Sequence, residues 1–306
     1  MKRRTLLSHA ALALPGVAFA ASPFPSRPAV EDLLAPDQDG YQDWKILRLP
    51  PAPPTTAKSC MVLDAVTGTV FFERNADERR PVASTQKLVS AIVCTESTPL
   101  ERVATVTPFD TAVEPHKMPL VVGEQYPLRT LLQVMLIESC NDAARCVART
   151  CAGSEDRFAE WMTKRAFQLG MKNSQFRNAS GLPAEGQYST ARDMSRAARA
   201  ALYNPTIRGI VGQGELTVTR PDGRVKKLQS TNYLLRRSSS FHLPICTGMK
   251  TGFTNAAGKC LVSSATYRGR SVICIMLGSS SKVIWKESRN LLNWSLGLTP
   301  PPKSSG

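Results

Sequence analysis

Three short runs in this sequence combine side-chain types that can do hydrolytic chemistry. The first is Ser84-Thr85-Gln86-Lys87. On a helix, side chains three positions apart share a face, so the Lys87 amine can reach the Ser84 hydroxyl. An unassisted serine is a poor nucleophile and needs a neighbouring base. A lysine can serve when burial and nearby positive charge lower its pKa. The second run is Ser139-Cys140-Asn141, whose hydroxyl and amide can relay a proton to a leaving group and hold a carbonyl. The third is Lys250-Thr251-Gly252, followed by Phe253 and Thr254. On a strand, its cation and hydroxyl can hold a carboxylate while the glycine lets substrate approach the backbone closely. Each run alone is common; the combination and its order carry the information.

These residues need elements to position them. Cys60–Leu63 and Thr69–Phe72 are short apolar runs joined through Val66-Thr67-Gly68, which predicts a hairpin. Residues 84–93 read as a helix with Leu88, Ala91 and Ile92 on one face. A stronger helix opens at Pro127, with Leu128, Leu131, Leu132, Met135 and Leu136 forming its apolar stripe; Ser139 falls just past its end. Ser154 is a good N-cap for a helix through Phe158, Trp161 and Met162 that stops at Gly170. Thr190-Ala191-Arg192-Asp193 reads as a capping box, with Asp for the usual Glu or Gln, before an alanine-rich helix ending near Asn204-Pro205. Strands return at Leu216–Thr219, Val225–Leu228, Cys260–Thr266 and Val272–Leu277, and a last helix covers Val283–Leu296. Strands, then helices, then strands and a final helix describe an α+β chain: a sheet-plus-helix layer with a helical insertion at about 95–210.

The three runs, in this order, resemble the signature of penicillin-binding proteins and serine β-lactamases. The similarity extends over roughly residues 57–297. Asn75–Pro81, Asn141–Ala144, Asn178–Leu182, Ser189–Met194, Thr231–Leu235 and Lys250–Gly258 look like the D-alanyl-D-alanine carboxypeptidase family. The resemblance implies a β-lactamase/transpeptidase-like fold, an antiparallel sheet flanked by helices, and action without a cofactor or metal. It also implies roles. Ser84 attacks the carbonyl of the penultimate D-alanine, with Lys87 as general base. The backbone N–H groups of Ser84 and Phe253 form the oxyanion hole. Ser139 passes a proton to the departing amine, Asn141 positions the peptide, Lys250 with Thr251 binds the carboxylate, and Gly252 lets the substrate approach the backbone. Two positions depart from the pattern. Cys140 stands where related enzymes often carry glycine or aspartate, and Gly278-Ser279-Ser280 stand where some relatives place an arginine. The end of the chain soon after Leu298 leaves no room for the C-terminal β-domain and membrane anchor of many such carboxypeptidases. Relatives without that domain include D,D-endopeptidases, which cut cross-links.

The 306-residue chain is 42% apolar and 21% charged, ample for a packed core. Its first twenty residues read as a signal peptide: Lys2, Arg3 and Arg4, a small and apolar stretch, then Ala18-Phe19-Ala20. The Arg3-Arg4 pair is also compatible with a twin-arginine signal. Residues 21–56 hold eight prolines, including Pro50, Pro51, Pro53 and Pro54, and read as a spacer outside the folded domain. A catalytic domain is expected over 57–300 and a tail over 301–306. No other segment suits a membrane span, so the mature chain is expected to be periplasmic or cell-wall associated. Losing Lys2, Arg3 and Arg4 lowers the charge from +15 to +12, which favours an anionic wall or membrane surface; export argues against nucleic acid. The eight cysteines, at 60, 94, 140, 146, 151, 246, 260 and 274, lie mostly in apolar stretches and read as buried thiols, with disulfides as the alternative.

A chymotrypsin- or subtilisin-like hydrolase needs a catalytic histidine, and beyond the leader only His116 and His242 remain, neither in such a motif. A β-lactamase of the closest class carries a deacylating glutamate, but Met171–Ser189 offers only Glu185 in an unlike context. The expected substrates are peptidoglycan peptides ending in D-Ala-D-Ala, with β-lactams as covalent inhibitors. A D,D-endopeptidase is the alternative, and a β-lactamase or a non-catalytic wall-binding protein are lesser ones.

Overall fold

The computed structural model describes residues 49–298; the expected signal peptide, most of the proline-rich stretch and the tail lie outside the described residues. A hairpin of β1 (Ser59–Asp64) and β2 (Val70–Arg74) opens the body. A 3₁₀ turn, Ala83–Gln86, then leads directly into α1 (Lys87–Ser97). The expected helix from Ser84 therefore begins as 3₁₀ and becomes α at Lys87. A helical region follows: β3 (Val103–Thr105), α2 (Pro108–Thr111), β4 (Gln125–Pro127), α3 (Leu128–Ile137), α4 (Asn141–Ala152), α5 (Glu155–Gln168), α6 (Ala191–Tyr203) and α7 (Pro205–Val211). Another hairpin, β5 (Glu215–Thr219) and β6 (Val225–Gln229), precedes β7 (Cys246–Thr254), β8 (Gly258–Tyr267), β9 (Arg270–Ser279) and α8 (Ile284–Ser295). Among the described residues no helix is long and apolar enough to cross a membrane.

The main sheet is antiparallel, in the order β2-β1-β9-β8-β7, and its central strands β1, β9 and β8 are buried on both faces. Alternation along the strands assigns the faces. Met61, Leu63, Val262, Ile273 and Ile275 pack with α1 and the helical region, whereas Cys60, Val62, Leu261, Cys274 and Met276 pack with Trp285, Leu291 and Leu292 of α8. This double burial explains why β1 is apolar without a polar alternate face. Residues 59–74 and 246–279 meet in one antiparallel sheet with helices against it, the expected α+β arrangement.

Local details differ from the sequence reading for physical reasons. Pro127 closes β4 and is the N-cap of α3, not its first turn. Thr190 caps α6 by accepting from the Asp193 N–H at 3.0 Å. The Asp193 carboxylate does not return the bond; it accepts from the Asn173 N–H and the Ser174 hydroxyl. A reciprocal capping box stands instead at Thr107 and Asp110. Residues 49–56, read as spacer, pack on the body. Glu287 accepts from the Thr55 hydroxyl and the Thr56 N–H, both at 3.0 Å, and Trp294 Nε1 donates to the Pro50 carbonyl at 2.8 Å. Leu49 and Ala52 add apolar contact to the α8 core.

Candidate active site

The 3₁₀ turn carries Ser84 and is wedged between two glycines. Gly252 in β7 lies so close that a Cβ there would come within 2.9 Å of the Ser84 nitrogen and 3.0 Å of the Ala83 Cβ. A Cβ on Gly181 would fall 2.2 Å from the Ala83 carbonyl oxygen. Gly181 has φ +88°, which glycine adopts without the side-chain penalty. The sequence reading gave Gly252 to substrate approach. In the structure its missing side chain makes room for the backbone of Ala83 and Ser84.

Lys87 is fully buried. Its Nζ lies 2.9 Å from Ser84 Oγ, 2.8 Å from Asn141 Oδ1 and 2.6 Å from the Ser180 carbonyl oxygen. Burial pulls its pKa from the usual 10.5 down to about 7, against the opposing pull of Glu155 and Asp142. A neutral amine has two N–H donors and one lone pair. The Asn141 and Ser180 oxygens can accept the two donors, which turns the lone pair toward the Ser84 hydroxyl.

Asn141 opens α4, where the chain turns through Ser139 at φ +69°. A left-handed non-glycine residue of this kind costs about 1–3 kcal/mol. Asn141 Nδ2 donates one hydrogen to the Pro115 carbonyl at 2.6 Å, leaving its second N–H, and the Asn141 backbone N–H donates to the His116 carbonyl at 2.7 Å. The buried Asp142 carboxylate accepts from the Met118 and Leu120 N–H groups. The 115–120 segment is thereby strapped to the start of α4.

On the opposite wall, β7 is the edge strand. Lys250 is buried, and its Nζ donates to the Thr251 carbonyl at 3.1 Å. Burial, and then the positive charge of Lys87, hold its pKa well below the usual lysine value. The Thr251 hydroxyl is 2.6 Å from that of Thr231, whose backbone N–H donates to the Ile137 carbonyl at the end of α3. Phe253 is 58% exposed, an open position for a large aromatic. A cavity of about 280 Å³ borders this wall, lined by Thr231, Cys140, His116, Lys117, Glu138, Gln229 and Arg236. Larger cavities, about 540 and 520 Å³, are lined by none of the motif residues.

The structure thus brings Ser84, Lys87 and Asn141 into direct or bridged contact. Ser139 is on the turn into α4, two residues before Asn141, and Gly252 lies against Ser84 with Lys250, Thr251 and Phe253 on the same strand. The motif reading left out several groups. The Ser180 carbonyl holds Lys87, and Thr231 holds Thr251. The turn around Ser180 is itself pinned. Asn178 Oδ1 accepts from the Ser180 and Gly181 N–H groups, Gln86 Nε2 donates to the Asn178 carbonyl, and Glu155 accepts from the Ala179 N–H. Asn178–Leu182 and Thr231–Leu235 stood out in the sequence only as family-like segments.

This arrangement offers a serine hydroxyl beside a lysine poised to titrate near neutrality, facing an edge strand. The chain as a whole is similar to known proteins. DacA of Escherichia coli, a D-alanyl-D-alanine carboxypeptidase, is 32% identical over 259 residues, 80% of this chain. The chain spans 62% of that relative's length, under two thirds. A D-alanyl-D-alanine endopeptidase of Pseudomonas aeruginosa is 32% identical over 240 residues, 77% of this chain and 76% of that one. The crystal structure of a D-alanyl-D-alanine carboxypeptidase from Mycobacterium tuberculosis H37Rv superposes with a TM-score of 0.75 at 30% identity, covering 82% of this chain and 94% of that one. A sequence profile of the D-alanyl-D-alanine carboxypeptidase family matches residues 48–281, a span that takes in the Ser84 turn, the start of α4 and all of β7, and the chain belongs to that family.

Proposed function

We propose that this protein is a serine D,D-carboxypeptidase that removes the terminal D-alanine from cell-wall peptides through an acyl-enzyme at Ser84. The observation that carries the reading is the Lys87 amine, fully buried and 2.9 Å from the Ser84 hydroxyl, with its other partners both acceptors. Neutral Lys87 takes the Ser84 proton as Oγ bonds to the carbonyl carbon of the penultimate D-alanine. The oxyanion is received by the N–H groups of Ser84 and Phe253. The amide C–N bond then breaks, the departing amine receives the proton by way of Ser139, and D-alanine leaves. Water, deprotonated at the same lysine, adds to the ester and frees Ser84. Asn141 orients Lys87 and offers its second N–H to the peptide. Lys250 and the Thr231–Thr251 hydroxyl pair receive the terminal carboxylate. A β-lactam presents a strained amide and a carboxylate to the same groups and acylates Ser84. The leader-like first twenty residues, the basic charge and the wall-peptide substrate together support a place outside the cytoplasm.

Cross-link cleavage is the second reading, favoured by the relative from Pseudomonas aeruginosa, of which the chain covers 76%. Fluorescent penicillin labelling with digestion of purified peptidoglycan tests both. Wild type is expected to be labelled and to release D-alanine, and Ser84→Ala to do neither while keeping its circular dichroism. Labelling of the Ser84→Ala variant at another serine ends the Ser84 assignment. Separation of cross-linked dimers into monomers without D-alanine release replaces the carboxypeptidase reading with the endopeptidase one.

A further inference from the structure

Two cavities adjoin on the leaving-group side of the site. In the proposed reaction the departing D-alanine has its carboxylate at the Thr231–Thr251 hydroxyl pair and its amine at Ser139. Thr231 and Cys140, the residue after Ser139, both line the cavity of about 280 Å³. That cavity shares Gln229 and Arg236 with the one of about 540 Å³, which continues along Gly214, Leu235 and Arg237. Space therefore runs from the leaving-group position outward past Arg236.

The charges along this path are uneven. Glu138, in the smaller cavity, is paired with Lys226 at 3.0 Å, and Glu215, in the larger, with Lys227 at 2.7 Å. Lys117 is paired with Glu114. Arg236 and Arg237 form no ion pair among the described residues, which leaves them as the uncompensated cations of the path. Arg236 is fixed by uncharged groups instead. Its Nε donates to the Ser230 carbonyl, its guanidinium lies 4.8 Å over the Tyr233 ring, and that ring stacks on Trp285 at 4.8 Å. The rest of the fork stays available at a half-buried position. A guanidinium oriented by neutral partners matches the two oxygens of a carboxylate.

We propose that Arg236, with Arg237 beyond it, forms a subsite for a second carboxylate on the leaving group, one further out than the carboxylate received at Lys250 and Thr251. The subsite favours departing residues with an acidic side chain over the uncharged methyl of D-alanine. The proposal rests on the acyl-enzyme at Ser84, which the carboxypeptidase and endopeptidase readings share. The bond that breaks is the same amide C–N bond, and only the departing residue differs. A terminal D-alanine brings one carboxylate to the site. A second peptide joined through the scissile bond brings further carboxylates of its own, so the subsite favours cutting between two wall peptides over trimming the end of one.

Matched peptides test the proposal. Their last residue, after D-Ala, is D-glutamate or the longer D-2-aminoadipate, each compared with its own side-chain amide, and kcat/KM is measured for every pair. Wild type is expected to favour the acid about tenfold for at least one length, the low end of a charge-assisted contact because Arg236 stays partly open to water. Arg236→Gln should bring the ratio close to one, Arg236→Lys should hold it in between, and Arg237→Gln should lower it by a smaller factor. Each ratio is taken within one protein, so a general loss of activity in a variant cancels, and penicillin labelling confirms an intact site. A wild-type ratio near one for both lengths overturns the proposal whatever the variants do, and so does a ratio that Arg236→Gln leaves unchanged. In either case hydrolysis of D-Ala-D-Ala peptides and labelling at Ser84 would still stand. Absence of both in the wild type removes the acyl-enzyme reading itself, and the subsite with it.

Discussion

The Lys87 amine reaches to within 2.9 Å of the Ser84 hydroxyl because the chain between them is wound as 3₁₀ helix. In a 3₁₀ turn, side chains at i and i+3 eclipse, whereas in an α-helix they are offset around the axis. Ala83, at φ +48°, sets the entry to the turn, and the two glycines beside it allow β7 and the 178–181 turn to press against its backbone. Ser84 and Lys87 are therefore positioned by the 3₁₀ winding together with the neighbouring backbone of β7 and the 178–181 turn.

If neutral Lys87 is the base, acylation by a penicillin should be steady above neutrality and fall as pH drops through about 7, approaching tenfold per unit on the acid side. Stopped-flow acylation between pH 5 and 9, with chemistry limiting, gives the profile. A flat profile with an intact fold excludes Lys87 as base.

The same shift has a consequence for stability. The native pKa of Lys87 is about 7, against 10.5 for the exposed side chain. Between those values the unfolded chain binds a proton that the native protein has released, so stability rises with pH there. It is lost again as pH falls toward 7, and below that both states are protonated. Comparison with Lys87→Met cancels the other groups. The wild type should gain on the order of 2 kcal/mol relative to the variant from pH 7 to pH 9. Urea denaturation at pH 7, 8 and 9 measures it, and a constant difference shows that the folded lysine titrates normally.

The sequence was informative where physics is local. The α3 stripe, the hairpins and Ser154 as a cap each depend on a few adjacent residues and appear in the structure as read. The 3₁₀ character around Ser84 was hidden because S-x-x-K suits both helix types. Helix α4 went unassigned because its buried side is made of small residues, Ala143, Ala144, Cys146, Val147 and Ala148, rather than a large apolar stripe. Strands β3 and β4 have three residues each, too few for alternation to register. The docking of residues 49–56 depends on Glu287, far away in sequence. The site followed the same division. The motif residues were visible by type, while the Ser180 carbonyl is a backbone group without a side-chain signature.

The two glycines flanking Ser84 should fail differently. Gly181→Ala forces a side chain into left-handed backbone, about 1–2 kcal/mol of strain, and adds a clash with the Ala83 carbonyl. It should lower the urea midpoint clearly. Gly252→Ala meets the Ser84 nitrogen at 2.9 Å in ordinary strand backbone. A shift of the nucleophile by a fraction of an ångström to an ångström can cost up to roughly a hundredfold in rate, so acylation should fall about ten- to a hundredfold with little change in midpoint. Acylation at the wild-type rate means that β7 does not set the position of Ser84.

Lys250 is the remaining charge question. Its Nζ is buried against the Thr251 carbonyl, and its pKa is lowered by burial and by Lys87. With serine at position 280, it is the cation that the motifs place on the wall proposed to bind the carboxylate. A charge-assisted contact to a substrate carboxylate contributes about 1.5–3 kcal/mol, or roughly ten- to a hundredfold in acylation efficiency. Lys250→Gln should therefore slow acylation by carboxylate-bearing penicillins and peptides by that factor. Substrates with an amidated terminus should be poor for the wild type and lose little more in the variant. Acylation rates for matched acid and amide substrates, measured at two pH values on either side of 7, separate this from an indirect effect. An equal loss for both substrates, together with an acid limb moved to higher pH, shows that Lys250 acts by repelling the Lys87 proton, and its carboxylate-binding role is then withdrawn.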